Sequence, residues 1–271
     1  MTGVQTCALP IWPLVATVDR RRWIAGRLAE IRDRGGIVLA GERFYGIEGR
    51  TAFTESSEIE FGHAVGADGA ASRVRRHLGL PTGLAVCAWQ LALPADGAAA
   101  RRLGIDDLTV FFEPRRFAAG YGWAFPAPGE LRLGAGASTA TLARGRLKAA
   151  FFAWLADLGV SRADGRLEAG TIPCGYLGHR FGPLRLAGDA AGLASPVTGE
   201  GIGPALVSGV AVAEEIAGTA RSAGAVAELG RRHRRTHDLL ARRGVGPLLY
   251  ALAPALLRLP PVAAAALGRY G

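Results

Sequence analysis

The run Leu186-Ala-Gly-Asp-Ala-Ala-Gly-Leu-Ala-Ser-Pro-Val-Thr-Gly-Glu-Gly-Ile-Gly-Pro-Ala-Leu206 leaves few ways to fold. Its apolar start reads as a short strand, its middle as a loop of small residues, and its end as a helix opened by Gly199, Gly201 and Gly203. Pro204 falls in the first turn of that helix, where a missing N–H costs nothing. Glycines there let a ligand approach the backbone N–H groups at the positive end of the helix dipole. Such a place suits a pyrophosphate or the electron-rich edge of a ring. Asp189, at the strand end, is placed to accept hydrogen bonds from ribose or ribityl hydroxyls. A turn packed tightly by glycine is the plain alternative, but it does not account for the acid, the small-residue run and the glycine ladder together.

Within this run, Gly188-Asp189-Ala190-Ala191-Gly192, Pro196 and Gly199-Glu200-Gly201-Ile202 resemble the second flavin-contacting motif of the FAD-dependent oxidoreductases related to aromatic hydroxylases and geranylgeranyl reductases. A second stretch, Gly66-Ala67-Asp68-Gly69-Ala70-Ala71-Ser72-Arg73-Val74-Arg75, resembles the other signature of that superfamily, G-A-D-G-x-x-S-x-V-R. Ala-Asp-Gly alone is a turn signal; the two stretches in the family's order carry more. The resemblance implies FAD as cofactor, contacted by Asp68, Gly69, Arg75, Gly188, Asp189, Ala190, Ala191, Gly192, Pro196, Gly199, Glu200, Gly201 and Ile202. It also implies a mixed α/β fold, with a Rossmann-like FAD/NAD(P)-binding domain, an antiparallel-sheet substrate domain and a helical C-terminus.

The front of the chain departs from the family. A dinucleotide fold opens with a strand, a G-x-G-x-x-G turn and a helix, and no such unit precedes Asp68. Residues 1–11 show neither strand alternation nor helical period, and their reverse translation resembles a sequencing-library adapter read in frame. They are expected to be non-native and are set aside, with the family's sequence resuming near Trp12 inside the domain. On this reading the N-terminal βαβ unit, and with it the half-site for the adenosine diphosphate of FAD, is missing. The expected organisation is then 1–11 non-native, 12–80 with 172–220 a partial FAD-binding domain, 81–171 a substrate-binding sheet, and 221–271 C-terminal helices.

Composition fits a globular enzyme fragment. The 271 residues are 49% hydrophobic, enough to bury a large core as one elongated domain or two closely joined ones. The net charge of +9 is almost all arginine, Lys148 being the sole lysine. Beside abundant Ala and Gly this indicates GC-rich coding DNA. No nucleic-acid partner is expected, because no recognition motif accompanies the charge. Cys7, Cys87 and Cys174 are too widely spaced for a disulfide framework or a metal site, so a reducing, cytoplasmic setting is expected.

Apolar spacing at Ile24, Leu28 and Ile31 predicts a helix over 19–34, stopped by Gly35-Gly36. Strands are predicted at 37–40, 44–47 and 59–65. Val18-Asp19-Arg20 loosely resembles a flavin-contacting segment of the family, but Ile24 replaces its acid, so Arg20 is read as a solvated cation at the helix start. Strands are predicted at 84–93, 108–113, 120–126 and 131–137, with one long helix over 142–158. Gly134-Ala-Gly136 lacks the third glycine of a dinucleotide loop and is rejected as one.

Tyr121-Gly-Trp123-Ala-Phe125-Pro126 resembles the Y-x-W-x-F-P motif of geranylgeranyl-reductase-like proteins, whose aromatics line an apolar pocket above the flavin ring. Alternation puts Tyr121, Trp123 and Phe125 on one face. Sheet core is the alternative, and the flavin motifs favour Tyr121, Trp123, Phe125 and Pro126 as substrate-binding. Further on, helices are predicted at 207–217 and 226–243, the second with a basic outer face. His233 and His237 lie four apart, yet no third ligand accompanies them and arginines surround them, so they are read as a solvated face rather than a metal site. The apolar tail, 245–257 and then 260–267, is too short in each piece, and too broken by proline, to span a membrane. It is expected to cap the domain, a membrane-peripheral position beside the basic helix being the alternative.

The resemblance implies that reduced FAD delivers hydride to an alkene of a small apolar, prenyl-like substrate. The hydroxylase-like branch would instead be a monooxygenase or halogenase, and a truncated non-catalytic remnant is the third reading. No side chain stands out as a catalytic acid, and NAD(P)H and ferredoxin remain equal as electron donors.

Overall fold

A computed structural model describes residues 18–219 and 224–256. Residues 1–11 and Cys7 lie outside them. Two units are distinguished, residues 18–62 and the described residues from His63 onward.

The first unit begins with α1 (Arg20–Asp33), capped by Asp19, whose carboxylate accepts from the Arg22 amide at 3.1 Å. None of its residues is buried, and Trp23, Ile24 and Ile31 are exposed. Arg20 opens the helix as an exposed cation. Then β1 (Phe44–Glu48), β2 (Thr51–Thr54) and β3 (Glu58–Glu60) form an antiparallel meander. The strand expected at 37–40 is irregular, with Ile37 87% exposed. An apolar run becomes a strand only where a neighbour completes its ladder, and among the described residues none pairs there.

The second unit runs β4 (Ala64–Gly66), α2 (Arg73–His77), β5 (Ala85–Pro94), α3 (Ala98–Leu103), β6 (Thr109–Phe111), α4 (Pro114–Phe117), β7 (Gly120–Ala127) and β8 (Glu130–Ser138). It continues with α5 (Arg144–Asp157), β9 (Arg166–Pro173), β10 (Arg180–Phe181), β11 (Leu184–Leu186), α6 (Ile202–Ile216), α7 (Ala225–Ala241) and α8 (Val245–Leu256). The stretch expected as one strand over 59–65 is thus split between β3 and β4, which belong to different sheets.

A five-stranded antiparallel sheet, ordered β6-β7-β8-β5-β9, dominates this unit. Its four longer strands alternate between two faces. On one face Leu91, Leu93, Phe111, Leu133 and Ala135 pack with Phe117 of α4 and Leu147, Phe151, Trp154 and Leu155 of α5 to make the core. Trp154 meets Phe111 and Phe117 edge-on, with ring centroids 5.2 and 5.9 Å apart, the arrangement that the ring quadrupoles favour. The other face carries Tyr121, Trp123 and Phe125. Strand β9 had no clear signal in the sequence: an edge strand of mixed polarity shows alternation poorly.

A smaller sheet, ordered β10-β11-β4, sets β4 parallel to β11. Helix α7 corrects an expectation. His233 and His237 do not face solvent: each is only 4% exposed, on the inner face with Val226, Leu229 and Leu240. The arginines take the outside, so the helix is amphipathic with its histidines counted among the apolar residues. Among the described residues no group of metal-ligating side chains occurs, and none of the helices is long and apolar enough to cross a membrane. Cys87 and Cys174 are free and buried.

Candidate functional site

Strands β4 and β11 lie side by side and run the same way, Leu186 opposite Gly66, with the Ala187 amide donating to the Gly66 carbonyl at 3.0 Å. Both motifs therefore leave from the carboxyl ends of adjacent parallel strands, where ligands gather in open α/β sheets.

Beyond β11 the chain makes a tight 3-10 turn over Gly188–Ala191, closed by Gly192 at φ +72°. The Gly188 amide donates to Ser208 Oγ at 2.8 Å, and that hydroxyl donates to the Pro204 carbonyl at 2.7 Å, so the turn is fastened to α6. Ala190, Ala191, Leu193 and Ala194 are buried beneath it. Pro196 begins a loop held shut by the Ser195 amide on the Glu200 carbonyl at 2.8 Å and the Gly199 amide on the Ser195 carbonyl at 2.9 Å. Asp189 is half-buried against Gly201, where a methyl group would come within 2.8 Å of Asp189 Oδ1.

At the start of α6, the Glu200 carboxylate accepts from the Gly203 amide. Pro204 has no N–H, and the Gly201 and Ile202 amides lie at the N-terminal end of α6, with Gly201 against Asp189. Two N–H groups at the positive end of a helix thus stand beside a half-buried carboxylate. This donor and acceptor set fits the pyrimidine edge and ribityl chain of a flavin.

Asp68 and Arg75 organise the other motif. Asp68 Oδ2 accepts from the Arg73 amide at 2.6 Å, and Gly69 turns the chain at φ +74°. Arg75 is buried and donates to the carbonyls of Pro81 at 3.0 Å, Thr82 at 3.0 Å and Gly175 at 3.2 Å. Burial holds its guanidinium below the ordinary arginine range. Because Gly175 touches Gly192, Arg75 braces the floor of the first motif from beneath.

The aromatic residues share one face, as the alternation requires, and β7 continues through Pro126. Trp123, Gly134, Gln90 and Glu168 are successive partners across four strands. The Trp123 indole lies over Gly134 and donates to Gln90 Oε1 at 3.2 Å, and Gln90 donates to Glu168 Oε2 at 2.8 Å. Phe125 stacks beside Trp123 at 6.1 Å. A methyl group at Gly134 would fall 2.2 Å from the indole ring. Gly134→Ala is therefore expected to displace Trp123, break its bond to Gln90, and cost about 1–3 kcal/mol of stability. A urea unfolding midpoint within error of the parent's would contradict this. Neither Gln90 nor this role of Gly134 was legible in the sequence, because the row exists only once four strands are in register.

The Tyr121 hydroxyl donates to the Thr198 carbonyl and joins the aromatic face to the Pro196–Gly201 loop. Burial pushes its phenol up to about 12, so it stays protonated as a donor. Tyr250 of α8 donates to the neighbouring Val197 carbonyl at 2.7 Å, so α8 caps this junction. Tyr121 is thus joined to the Pro196–Gly201 loop and Arg75 to Gly175 beneath Gly192, while Trp123, Phe125 and Pro126 lie further along β7.

Behind them, Tyr176, His179 and Glu215 form a hydrogen-bonded chain at 2.6 and 2.9 Å that ties the loop after β9 to α6. Ser138 Oγ and His237 Nε2 lie 3.3 Å apart, with Asp238 next. Ser138 and His237 are both buried, and Ser138 Oγ also accepts from the Ala140 amide, so this pair secures packing, while the Asp238 side chain is exposed. His233 is held below its ordinary value of 6.5, first by burial and then by the Arg232 charge. Below pH 6.5 the unfolded chain binds a proton that the folded chain resists. The stability this group contributes is therefore full above that pH and declines beneath it, with a slope of no more than about 1.4 kcal/mol per pH unit. His233→Gln is expected to flatten this slope in melts between pH 7 and pH 5 (about, spanning the histidine range).

The fold defines a class: the chain is similar in sequence to geranylgeranyl-lipid reductases and in fold to geranylgeranyl-reductase-like proteins and hydroxylases. In sequence it is 29% identical over 215 residues to digeranylgeranylglycerophospholipid reductase 1 of Methanopyrus kandleri, covering 72% of this chain and 55% of that protein. In structure it resembles a geranylgeranyl bacteriochlorophyll reductase-like protein from Thermoplasma acidophilum, with TM-score 0.61, 22% identity, and 89% of this chain and 64% of that one covered. It also resembles the anhydrotetracycline hydroxylase OxyS of Streptomyces rimosus, with TM-score 0.53, 20% identity, and 92% and 54% covered. The chain spans just over half the length of the curated relative. No family model matches it.

Proposed function

We propose that this chain carries the flavin-ring and substrate-facing part of an FAD-dependent reductase that saturates alkene bonds in an apolar, isoprenoid-like substrate. The observation that carries the reading is the junction at Tyr121 and Thr198, which sets the aromatic face of the sheet against the loop and helix start beside Asp189. Asp189 would hold ribityl hydroxyls, and the Gly201 and Ile202 amides would face the pyrimidine edge and stabilise negative charge there. Reduced FAD supplies hydride when bound. Trp123, with Tyr121, Phe125 and Pro126, would orient a greasy chain and exclude water, with Gln90 fixing the indole plane. The names of the reductases similar in sequence and structure support this substrate class.

The test is anaerobic incubation of the full chain with dithionite-reduced FAD and a geranylgeranyl lipid, read by mass spectrometry. Gain of hydrogen at the double bonds without oxygen supports the reductase. Product that forms only in air and carries an added oxygen atom would assign a monooxygenase. Failure to bind flavin or turn over either way would leave a non-catalytic protein. Running the same assay with NAD(P)H or with reduced ferredoxin in place of dithionite identifies the electron donor.

A further inference from the structure

Helix α8 is built of Val245-Gly-Pro-Leu-Leu-Tyr-Ala-Leu-Ala-Pro-Ala-Leu256, without one charged residue. A surface helix of an ordinary globular protein pairs an apolar stripe with a polar face. Here the inner side is accounted for: Tyr250 is buried among Ala119, Leu240, Phe112 and Tyr121. The outer side is equally apolar and exposed, with Leu248, Leu252 and Leu256 one turn apart at 58, 46 and 36% exposure and Ala251 and Ala255 between them.

The rim of this ridge is basic. Arg242 and Arg243 stand in the turn entering α8, and Arg115 and Arg116 share a shallow groove with Ala251. Glu113 lies in that groove as well, but it is paired with Arg116 at 2.8 Å, and Arg116 also pairs with Asp157 at 2.6 Å. Among the described residues no ion pair engages Arg115, Arg242 or Arg243. We infer that the outer face of α8, with Arg115, Arg242 and Arg243, docks this protein on the surface of an anionic lipid bilayer.

An apolar ridge entering the acyl boundary with cations level with the headgroups is the chemistry of an interfacial helix. A second copy of the chain fits the face poorly, because a two-fold pairing would bring arginine rim against arginine rim. Docking in this sense brings Phe112 and Tyr121, which contact the inner side of α8, close to the bilayer. A lipid-borne chain would then reach the aromatic face without crossing water. Docking itself needs no flavin, so it stands or falls apart from the proposed reaction.

The experiment is flotation of the full chain with phosphatidylcholine vesicles, with and without phosphatidylglycerol, at low and high salt. Binding is expected with the anionic vesicles, weakened by salt. Each arginine near such a surface strengthens binding about fivefold, so replacing Arg115, Arg242 and Arg243 together by serine is expected to weaken it on the order of a hundredfold. Leu248→Glu with Leu252→Glu is expected to weaken it at least about tenfold while leaving the thermal midpoint unchanged, since both side chains are exposed. Equal binding to neutral and anionic vesicles, or binding unaffected by either set of substitutions, overturns the inference. So does an absence of vesicle binding, whether it comes with dimers that the leucine substitutions dissociate or with a lowered thermal midpoint in the leucine variant. The first would assign the face to a second copy, the second to another part of this chain.

Discussion

Replacing Gly192 by alanine is expected to destabilise the protein by about 3 kcal/mol or more, and to do so without touching the hydrophobic core. Two costs add. Gly192 sits at φ +72°, where a Cβ strains the backbone by about 1–2 kcal/mol. That Cβ would also lie 2.5 Å from the Gly175 carbonyl oxygen and 2.7 Å from its carbon. A flexible side chain could step aside, but this neighbour is backbone, and the buried Arg75 guanidinium donates to the same carbonyl. Relief would therefore have to break a buried charged hydrogen bond, which adds to the penalty. Urea unfolding of Gly192→Ala measures the sum, and Arg75→Met in the same background tests the coupling. If the carbonyl is what blocks the methyl, the two losses combine to less than their sum. A loss under about 1 kcal/mol for Gly192→Ala would show that the loop yields freely.

The second large effect concerns ligand affinity. Asp189→Ala is expected to weaken FAD binding about 10- to 100-fold, the range set by losing hydrogen bonds to a charged acceptor. Gly201→Ala should weaken it comparably by a different route, since its methyl would stand 2.8 Å from Asp189 Oδ1 and close the space a ribityl chain needs. Quenching of flavin fluorescence during titration reads both, with a thermal melt of each variant separating lost binding from lost folding. FAD affinity within twofold (about the scatter of single-interaction effects) for a well-folded Asp189→Ala protein would remove Asp189 from the site.

Much of this arrangement was written locally. The small-residue turn and the helix over 188–206 follow from short-range causes, glycines where the backbone turns and a proline in the first helical turn, whereas the strand, Leu184–Leu186, lies just ahead of the expected one and includes the buried Arg185. The four strands over 84–137 and helix α5 were readable because each carries its own periodicity, two or 3.6 residues long, against a single core. Alternation alone placed Tyr121, Trp123 and Phe125 on one face.

What the sequence could not contain is anything that depends on which segments become neighbours. The apolar run at 37–40 has strand composition but no ladder partner among the described residues, and composition cannot reveal that. His233 and His237 are surrounded by arginines in sequence and by apolar atoms in space, because a helix sorts residues by angle rather than by order. Gly134 and Gln90 acquire a role only when β7, β8, β5 and β9 come into register and an indole must cross from one to the other. By itself the sequence determined the local elements and the turn at Asp189, since these rest on backbone sterics and dipoles within a few residues. The tertiary structure alone decided that two motifs more than a hundred residues apart leave adjacent parallel strands (Asp68 and Asp189), and that Tyr121 of the aromatic face meets the loop of the second at Thr198, because long-range pairing is chosen by packing and not by neighbours in the chain.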